Sequence, residues 1–506
     1  MVFSKKLKDV GVYDDFTLEK YPHGFVFYDF EVFKYDWMVV LIDPINHTKD
    51  LIVNDRLSLM KYYRTHREMV WSGYNVLHYD VPILKGILSG MDPKKISDAI
   101  IEEGKNGWSI VPSWNKFPLI TYDVMVQIAN APSLKVLEAY MGSDIEETSV
   151  PFDIARQLTQ DEIDMTAHYC EHDVEQTIEV FRRTSSEWDA MVNIIETFGF
   201  PFSDIEKTKA QLTAKVIGCE RKEHDDEFDI RIVDTIQLKK YKYIKDWFER
   251  ISKMKDYKAE IPNIPENAEI LSKGKQTKKS TDSRTMFETT VCGIPHQFGW
   301  GGLHGCIDKP VRLEGKIYHV DVTSYYPSLM IRYDLLTRNC KDKKKFKEVY
   351  DIRVALKKAG KKKEQQPYKI VLNSTYGILK DRYSLAYDPV QANNVCINGQ
   401  LMLLDLLEHL EGRAEIIQSN TDGIICRIAD DPRSERVFRH ICEEWCIRTG
   451  MGLGNDVIKF ISQRDVNNYL FEFEDKKISE KMKLLAEKLK ECCTDVECHG
   501  NEVLLR

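Results

Sequence analysis

The sequence predicts a mixed α/β and α+β protein of several domains, on three observations. The chain has 506 residues, more than one hydrophobic core supports when a domain takes roughly 100–200 residues. The run Gly24-Phe-Val-Phe-Tyr-Asp29-Phe-Glu31-Val-Phe33 is β-branched and aromatic like a central strand, with Trp37 to Asp43 as its hairpin partner, whereas Leu158 to Arg183 has helical spacing. From about residue 290 the character changes to short strands and glycine turns.

Apolar residues make up 43% and aromatic ones 10%, enough for packed cores, and the 30% charged residues are scattered rather than gathered into a tail. The net charge of −8 conceals an asymmetry: residues 1–200 hold 19 Lys or Arg against 32 Asp or Glu, and the remainder 53 against 48. The acidic first part argues against passive polyanion binding and suits carboxylates gathered around a divalent metal. The mildly basic remainder suits phosphate contacts. Twelve cysteines without a repeated spacing read as reduced thiols, not as a disulfide framework. The first residues, MVFSKKLKDVGVYDDF, lack an apolar signal core, and no stretch approaches the ~18 consecutive apolar residues that span a bilayer. The expectation is a soluble, cytoplasmic protein with no membrane partner.

A first boundary falls at the Gly-Phe-Pro punctuation of 199–201. Residues 201–270 alternate helix-like and charged stretches, and 272–285 is polar enough for a loop or linker. Segment 341–363 holds eleven Lys or Arg against three acids, a run whose plainest reading is a solvated helix pair.

Asp29 and Glu31, two apart on a strand, share a face, and neighbouring acids repel unless a cation lies between them. Asp80 follows in Asn75-Val-Leu-His-Tyr79-Asp80, and Asp173 in Tyr169-Cys-Glu-His-Asp173, where Tyr169 and Asp173 stand one helical turn apart. Four carboxylates from a strand, a helix start and a helix suit two Mg²⁺ about 3.5–4 Å apart, with Tyr169 orienting the attacking water. A lone acid is usually just solvated; the ordered set argues for a site. Asp123, at another strand end, reads as structural.

In the second half, Lys316 to Val322 is a strand bearing Asp321 near its end, and Pro327 suits the first turn of a following helix. The backbone N–H groups after Asp321 offer a cradle for a triphosphate beside a metal ligand. Residues 415–419 and 424–428 flank Asn420-Thr421-Asp422-Gly423 as a hairpin that holds Asp422 at its tip. Between them Lys369, Asn373 and Tyr376 fall at i, i+4 and i+7 of a helix that Gly377 ends or opens to close approach, giving charge for phosphate and a ring for sugar or base.

These residues carry two resemblances. Asp29, Glu31, Asp80, Tyr169 and Asp173 match the motifs of DnaQ-like proofreading exonucleases over about the first 190 residues. Asp321-Val-Thr-Ser324-Tyr325-Tyr326-Pro-Ser, Lys369-Ile-Val-Leu-Asn373-Ser-Thr-Tyr376-Gly377 and Ser-Asn420-Thr421-Asp422-Gly423 resemble the three polymerase motifs of family B DNA polymerases over about 290–470. The resemblance implies an RNase H-like 3′→5′ exonuclease domain (1–198), a connecting helical region and linker (199–290), and a palm in two parts (291–340 and 381–470). Short helical fingers (341–380) and a reduced or missing thumb (471–506) complete it.

The implied metal ligands are Asp29, Glu31, Asp80 and Asp173 in one site and Asp321 and Asp422 in the other, with two Mg²⁺ per site and Mn²⁺ as a substitute. Tyr326 is the implied steric gate against the ribose 2′-OH. Ser324, Tyr325, Asn373 and Tyr376 would line the nucleotide, with Arg353 and Lys357, one helical turn apart, joining Lys369 on the β- and γ-phosphates. Gly301 and Gly302, in Phe298-Gly-Trp-Gly-Gly-Leu-His-Gly305, resemble a glycine motif that lets template phosphates approach. Asn75, Gly377, Thr421 and Tyr469, the last in Arg464-Asp-Val-Asn-Asn-Tyr469, are the other implied DNA contacts. The implied activity is proofreading DNA synthesis in phage-type replication in a host cytoplasm. Its partners would be primer-template DNA, dNTPs and either a processivity factor or a separate thumb-like protein.

Two departures matter. The third motif reads Asn420-Thr421-Asp422-Gly423 where the family has Asp-Thr-Asp-Ser, so one charge is lost while the metal-ligating second acid stays. A chain that keeps only the nuclease, with a degenerate polymerase region serving as a DNA-binding scaffold, is the alternative. About 37 residues follow Tyr469, with a helix expected over Ile478 to Lys490 and with Cys492, Cys493, Cys498 and His499 at no standard zinc spacing. About 48 residues separate the first two motifs, too few for the insertion of protein-primed relatives, so a nucleic-acid primer is expected.

Overall fold

A computed structural model describes residues 1–7, 13–128, 130–251, 268–270, 287–473, 496–497 and 504–505. The linker expected at 272–285 and the helix expected over Ile478 to Lys490, with Cys492, Cys493, Cys498 and His499, lie outside these residues. The chain divides into two compact units, one of Met1–Val216 with Leu356–Val371, the other of Ile217–Ala355 with the described residues from Leu372 onward. Each unit mixes helices with a sheet, and none of the described helices is long and apolar enough to cross a membrane.

The first unit is built on β1 (Phe3–Lys6), β2 (Phe25–Val32), β3 (Trp37–Asp43), β4 (Thr48–Val53), β5 (Val70–Gly73) and β6 (Ile120–Asp123), in the order β1-β4-β3-β2-β5-β6. β2 and β3 form the expected antiparallel hairpin, in register from Phe27↔Ile42 to Val32↔Trp37. β5 joins β2 in parallel and β6 joins β5 likewise, so each pair needs a crossover. Helix α1 (Arg56–His66) leads into β5, and α2 (Asp80–Ser89), α3 (Pro93–Ile101) and α4 (Gly107–Ile110) connect β5 to β6.

After β6 come α5 (Leu134–Met141), α6 (Gln160–Arg183), α7 (Ser185–Phe198) and α8 (Lys209–Val216). A capping box starts α6: Thr159 Oγ1 accepts the Glu162 N–H at 3.3 Å, and the Glu162 carboxylate accepts the Thr159 N–H at 2.8 Å. The helix therefore opens two residues later than Leu158, whose own N–H is taken by the Asp36 carboxylate. α6 packs on β2 and β3, where Phe25, Phe27, Phe181 and Trp188 cluster in the core. Burying each such ring stabilises the fold by roughly 1.5–3 kcal/mol, which fixes the α6 side chains against the central strand.

The second unit holds a nine-stranded antiparallel sheet. Its strands are β7 (Ala268–Ile270), β8 (Phe287–Val291), β9 (Ile294–Phe298), β10 (His304–Cys306), β11 (Val311–Val322), β12 (Glu415–Ser419), β13 (Gly423–Arg427), β14 (Leu453–Asp465) and β15 (Asn468–Phe473), in the order β15-β14-β11-β13-β12-β10-β9-β8-β7. A separate short pair joins β16 (Val496–Glu497) to β17 (Leu504–Leu505). β11 begins at Val311, earlier than the Lys316 read from sequence, because β14 pairs with it across a register shift between Glu314 and Ile317, where Gly315 takes a φ of 114°.

Helices α9 (Lys242–Ile251), α10 (Tyr325–Arg332), α11 (Lys344–Lys358), α12 (Gln366–Lys380), α13 (Pro389–Leu410) and α14 (Pro432–Thr449) complete the description, α11 and α12 each running from one unit into the other. α13 is buried along nearly its whole length yet carries several polar side chains. They serve the extended segment 227–241. Asn394 Oδ1 accepts the Arg231 N–H at 2.7 Å; Asn398 accepts the Val233 N–H and donates to the Arg231 carbonyl, both at 2.8 Å. Asp405 accepts the Gln237 N–H at 2.7 Å. Buried backbone groups must be paired, and here helix side chains replace a ladder. That explains why 220–241 is not helical although its composition reads as helix-like.

Candidate active sites

In the first unit, β2 presents Asp29, half-buried, and Glu31, buried, two residues apart. Asp80 opens α2, and its Oδ1 accepts the N–H of Phe30 at 2.9 Å, tying it to the peptide between the other two acids. α6 adds Tyr169, Cys170 and Asp173. The Cys170 thiol donates to the Asp29 carbonyl at 3.2 Å and lies 3.6 Å from Asp29 Oδ2. The ligand atoms of Asp29, Glu31 and Cys170 all lie within 4.8 Å of one another. Lys135 of α5 donates to Asp173 Oδ1 at 2.9 Å and to the Glu146 carbonyl at 2.6 Å, with its ammonium 4.8 Å from the Tyr169 ring centroid.

Burial pushes the Asp29 carboxyl up to about 7, with the Asp173 charge adding to it. Burial, then the charges of neighbouring acids, raises Glu31 and Asp80 well above the ordinary carboxylate range. Tyr169 is raised by burial and by Asp173. Such crowding holds protons, and a divalent cation would reverse the balance. The carboxylate oxygens are hard donors that fit Mg²⁺ or Mn²⁺, whereas the Cys170 thiol, itself raised by burial, is a poor ligand for either.

All five acids and phenols singled out in the first half of the sequence thus come together. Sequence reasoning missed Lys135, Cys170, and Glu138 with His172, which group with Asp173 within the same 4.8 Å; no local pattern marks them. Asp123 is structural: buried, it accepts the N–H groups of Asn75, Leu77 and Met125, each at 3.0 Å, and so shapes the loop that leads to Asp80. Asn75 stands in that loop at a φ of 63°.

In the second unit, β11 and β13 set Asp321 opposite Gly423, and the Val322 N–H donates to the Asp422 carbonyl at 2.8 Å. Asp321 is half-buried and Asp422 exposed, on adjoining backbone at one end of the sheet. The turn is closed by Asn420, whose N–H reaches the Gly423 carbonyl at 2.9 Å while its Oδ1 takes the Asp422 N–H at 3.4 Å. An Asp would accept that N–H equally well, so the turn does not demand the amide.

Ser324 precedes α10 at a φ of 49°, and the buried Arg353 donates to its Oγ. Among the described residues no carboxylate pairs with Arg353, its Nε has no hydrogen-bond partner, and burial lowers its pKa. The Tyr326 and Tyr376 rings lie 4.6 Å apart, and the Tyr325 hydroxyl donates to the Gly399 carbonyl at 2.7 Å. α12 runs through Gly377, around which space is open, to Lys380, so this glycine does not end the helix. Asn373 lies on the same stretch of α12, while Lys357 and Lys369 belong to the segment 356–371 of the other unit. Gly301 is open, Gly302 packs on Thr421, and the exposed Tyr469 stacks on Phe471 with centroids 5.8 Å apart.

No family model matches the chain, and no curated protein matches it. Among solved structures it is similar to the family B DNA polymerase from the hyperthermophilic archaeon Pyrobaculum calidifontis, with a TM-score of 0.43 and 14% identity. That alignment covers 95% of this chain and 64% of the polymerase. The chain therefore spans less than two thirds of that protein's length.

Proposed function

We propose that the chain is a DNA-directed DNA polymerase of the family B kind that also proofreads by 3′→5′ hydrolysis, acting in DNA replication on primer-template DNA and dNTPs. The observation that carries this reading is the pairing of two separate carboxylate sites with the motif residues: Asp29, Glu31, Asp80 and Asp173 converging around β2, and Asp321 and Asp422 on adjoining backbone. Divalent metal at each site would supply Lewis-acid activation of an oxygen nucleophile and neutralisation of phosphate charge.

The chain's own residues supply the rest. Tyr169, beside Asp173, orients the hydrolytic water at the first site. At the second, Arg353, whose guanidinium has no carboxylate partner among the described residues, is offered to a triphosphate, and Tyr326, packed on Tyr376, closes the space a ribose 2′-OH would need. Asn373 joins the nucleotide contacts, and Gly301, Gly377 and Tyr469 the DNA contacts, in the same reading.

A second reading retains only the nuclease, and Asn420 in place of an acid favours it. Primer extension with Mg²⁺ or Mn²⁺, with and without dNTPs, decides between them. Asp422→Ala should abolish extension and spare degradation, and Asp29→Ala the reverse. Degradation by a protein that never extends a primer leaves the nuclease alone; loss of both activities from Asp422→Ala argues against two sites.

A further inference from the structure

The glycine loop 299–302 is held from two sides. Gln400 of α13, fully buried, accepts the Gly299 N–H at 3.1 Å and donates to the carbonyls of Gly299 at 2.7 Å and Gly301 at 2.8 Å. Lys380, at the end of α12, donates to the Trp300 carbonyl at 2.8 Å, with its ammonium 4.9 Å from the Tyr376 ring centroid. Thus pinned, the loop sets Gly302 against Thr421, the residue before Asp422: a Cβ at 302 would lie 2.7 Å from Thr421 Cβ and 2.9 Å from its Cγ2, with Oγ1 closer still. Side chains never approach so closely, so a substituent at 302 must displace Thr421.

We infer that Gly302 and Gln400 are positioning residues for the Asp422 carboxylate, acting through Thr421, and that position 302 is glycine to admit Thr421. The inference rests on the reading of Asp321 and Asp422 as metal ligands. Asp422 sits exposed at a turn held by the bond from the Val322 N–H to its carbonyl, by the Asn420 N–H on the Gly423 carbonyl and by the Asn420 side chain, and the packing of Thr421 against a pinned loop further limits its freedom. A shift of an ångström at a metal ligand is enough to cost orders of magnitude in rate.

The test is a double-mutant cycle in an Asp29→Ala background, which cripples the first carboxylate site. Gly302→Ala should weaken Mn²⁺ binding, read by electron paramagnetic resonance, about tenfold and lower kcat for extension more than it raises the nucleotide KM. Gly302→Ala with Thr421→Gly should recover most of both. Gln400→Met, which keeps the volume and loses the hydrogen bonds, should show the same metal defect without the rescue. Thermal melting confirms that each variant is folded. Unchanged Mn²⁺ binding in folded Gly302→Ala, or a double variant no better than the single, overturns the inference. Tight Mn²⁺ binding that follows this pattern in a protein unable to extend a primer sinks the synthetic function and leaves the positioning intact. No saturable Mn²⁺ binding in the parent overturns both.

Discussion

The Lys135 ammonium lies 2.9 Å from Asp173 Oδ1 in a cluster that also holds Asp29, Glu31 and Tyr169. It lowers the pKa values of Asp29 and Glu31 against the larger upward push of burial. Lys135→Met removes that opposing charge, so both carboxyls should rise further. The pH of half-maximal Mn²⁺ binding should move upward, and single-strand degradation should fall about 10–100-fold, most steeply on the acid side. A pH–rate profile of the purified variant checks both.

The same carboxyls make a prediction for the metal-free protein. Asp29, at about 7, together with the raised Glu31 and Asp80, stays protonated in the folded chain over a range where the unfolded chain has already ionised. The native state then binds more protons than the unfolded one. The Asp29 contribution to stability is full below about pH 4 and is lost as pH rises through about 7, and Glu31 and Asp80 act in the same direction. Glu162, Glu435 and Asp465, lowered to about 2 by their partners, act in the opposite direction and only below about pH 4.5. In EDTA the melting temperature should therefore fall between pH 5 and pH 7.5, and Mg²⁺ or Mn²⁺ should restore it at the upper end; calorimetry at a series of pH values tests this.

Among the described residues the buried Arg353 has no carboxylate partner. Arg353→Met keeps much of the packing and removes the charge. A charge-assisted hydrogen bond contributes roughly 1.5–3 kcal/mol, so the nucleotide KM in primer extension should rise about 10–100-fold with the melting temperature unchanged or higher. An unaltered KM would place triphosphate binding elsewhere.

Asp405, fully buried on α13, accepts two bonds from the Arg448 guanidinium, at 2.6 and 2.7 Å, besides the Gln237 N–H. Asp405→Ala leaves a half-buried arginine without its carboxylate partner and a backbone N–H unpaired. A loss of about 3–5 kcal/mol in urea unfolding is expected, with Asp405→Asn between the two because it keeps an acceptor.

The local elements were legible in the sequence because their signals are local. Aromatic and β-branched residues from Phe25 to Val32 dictate a strand, the Thr159–Glu162 box starts a helix, and Asn420 to Gly423 reverse a hairpin, all within a few residues of chain. The acids were legible for the same reason: charge inside an apolar run is conspicuous. What tertiary structure alone decided are contacts whose partners lie far apart in sequence. Phe30 holding Asp80, Lys135 on Asp173, and Gln400 pinning the loop that meets Thr421 join residues between 38 and about 120 positions apart. Nothing in the neighbourhood of Lys135 or Gln400 distinguishes them from other polar residues on helices. Their significance arises only when burial strips away water and leaves a carboxylate or a loop carbonyl as the available partner.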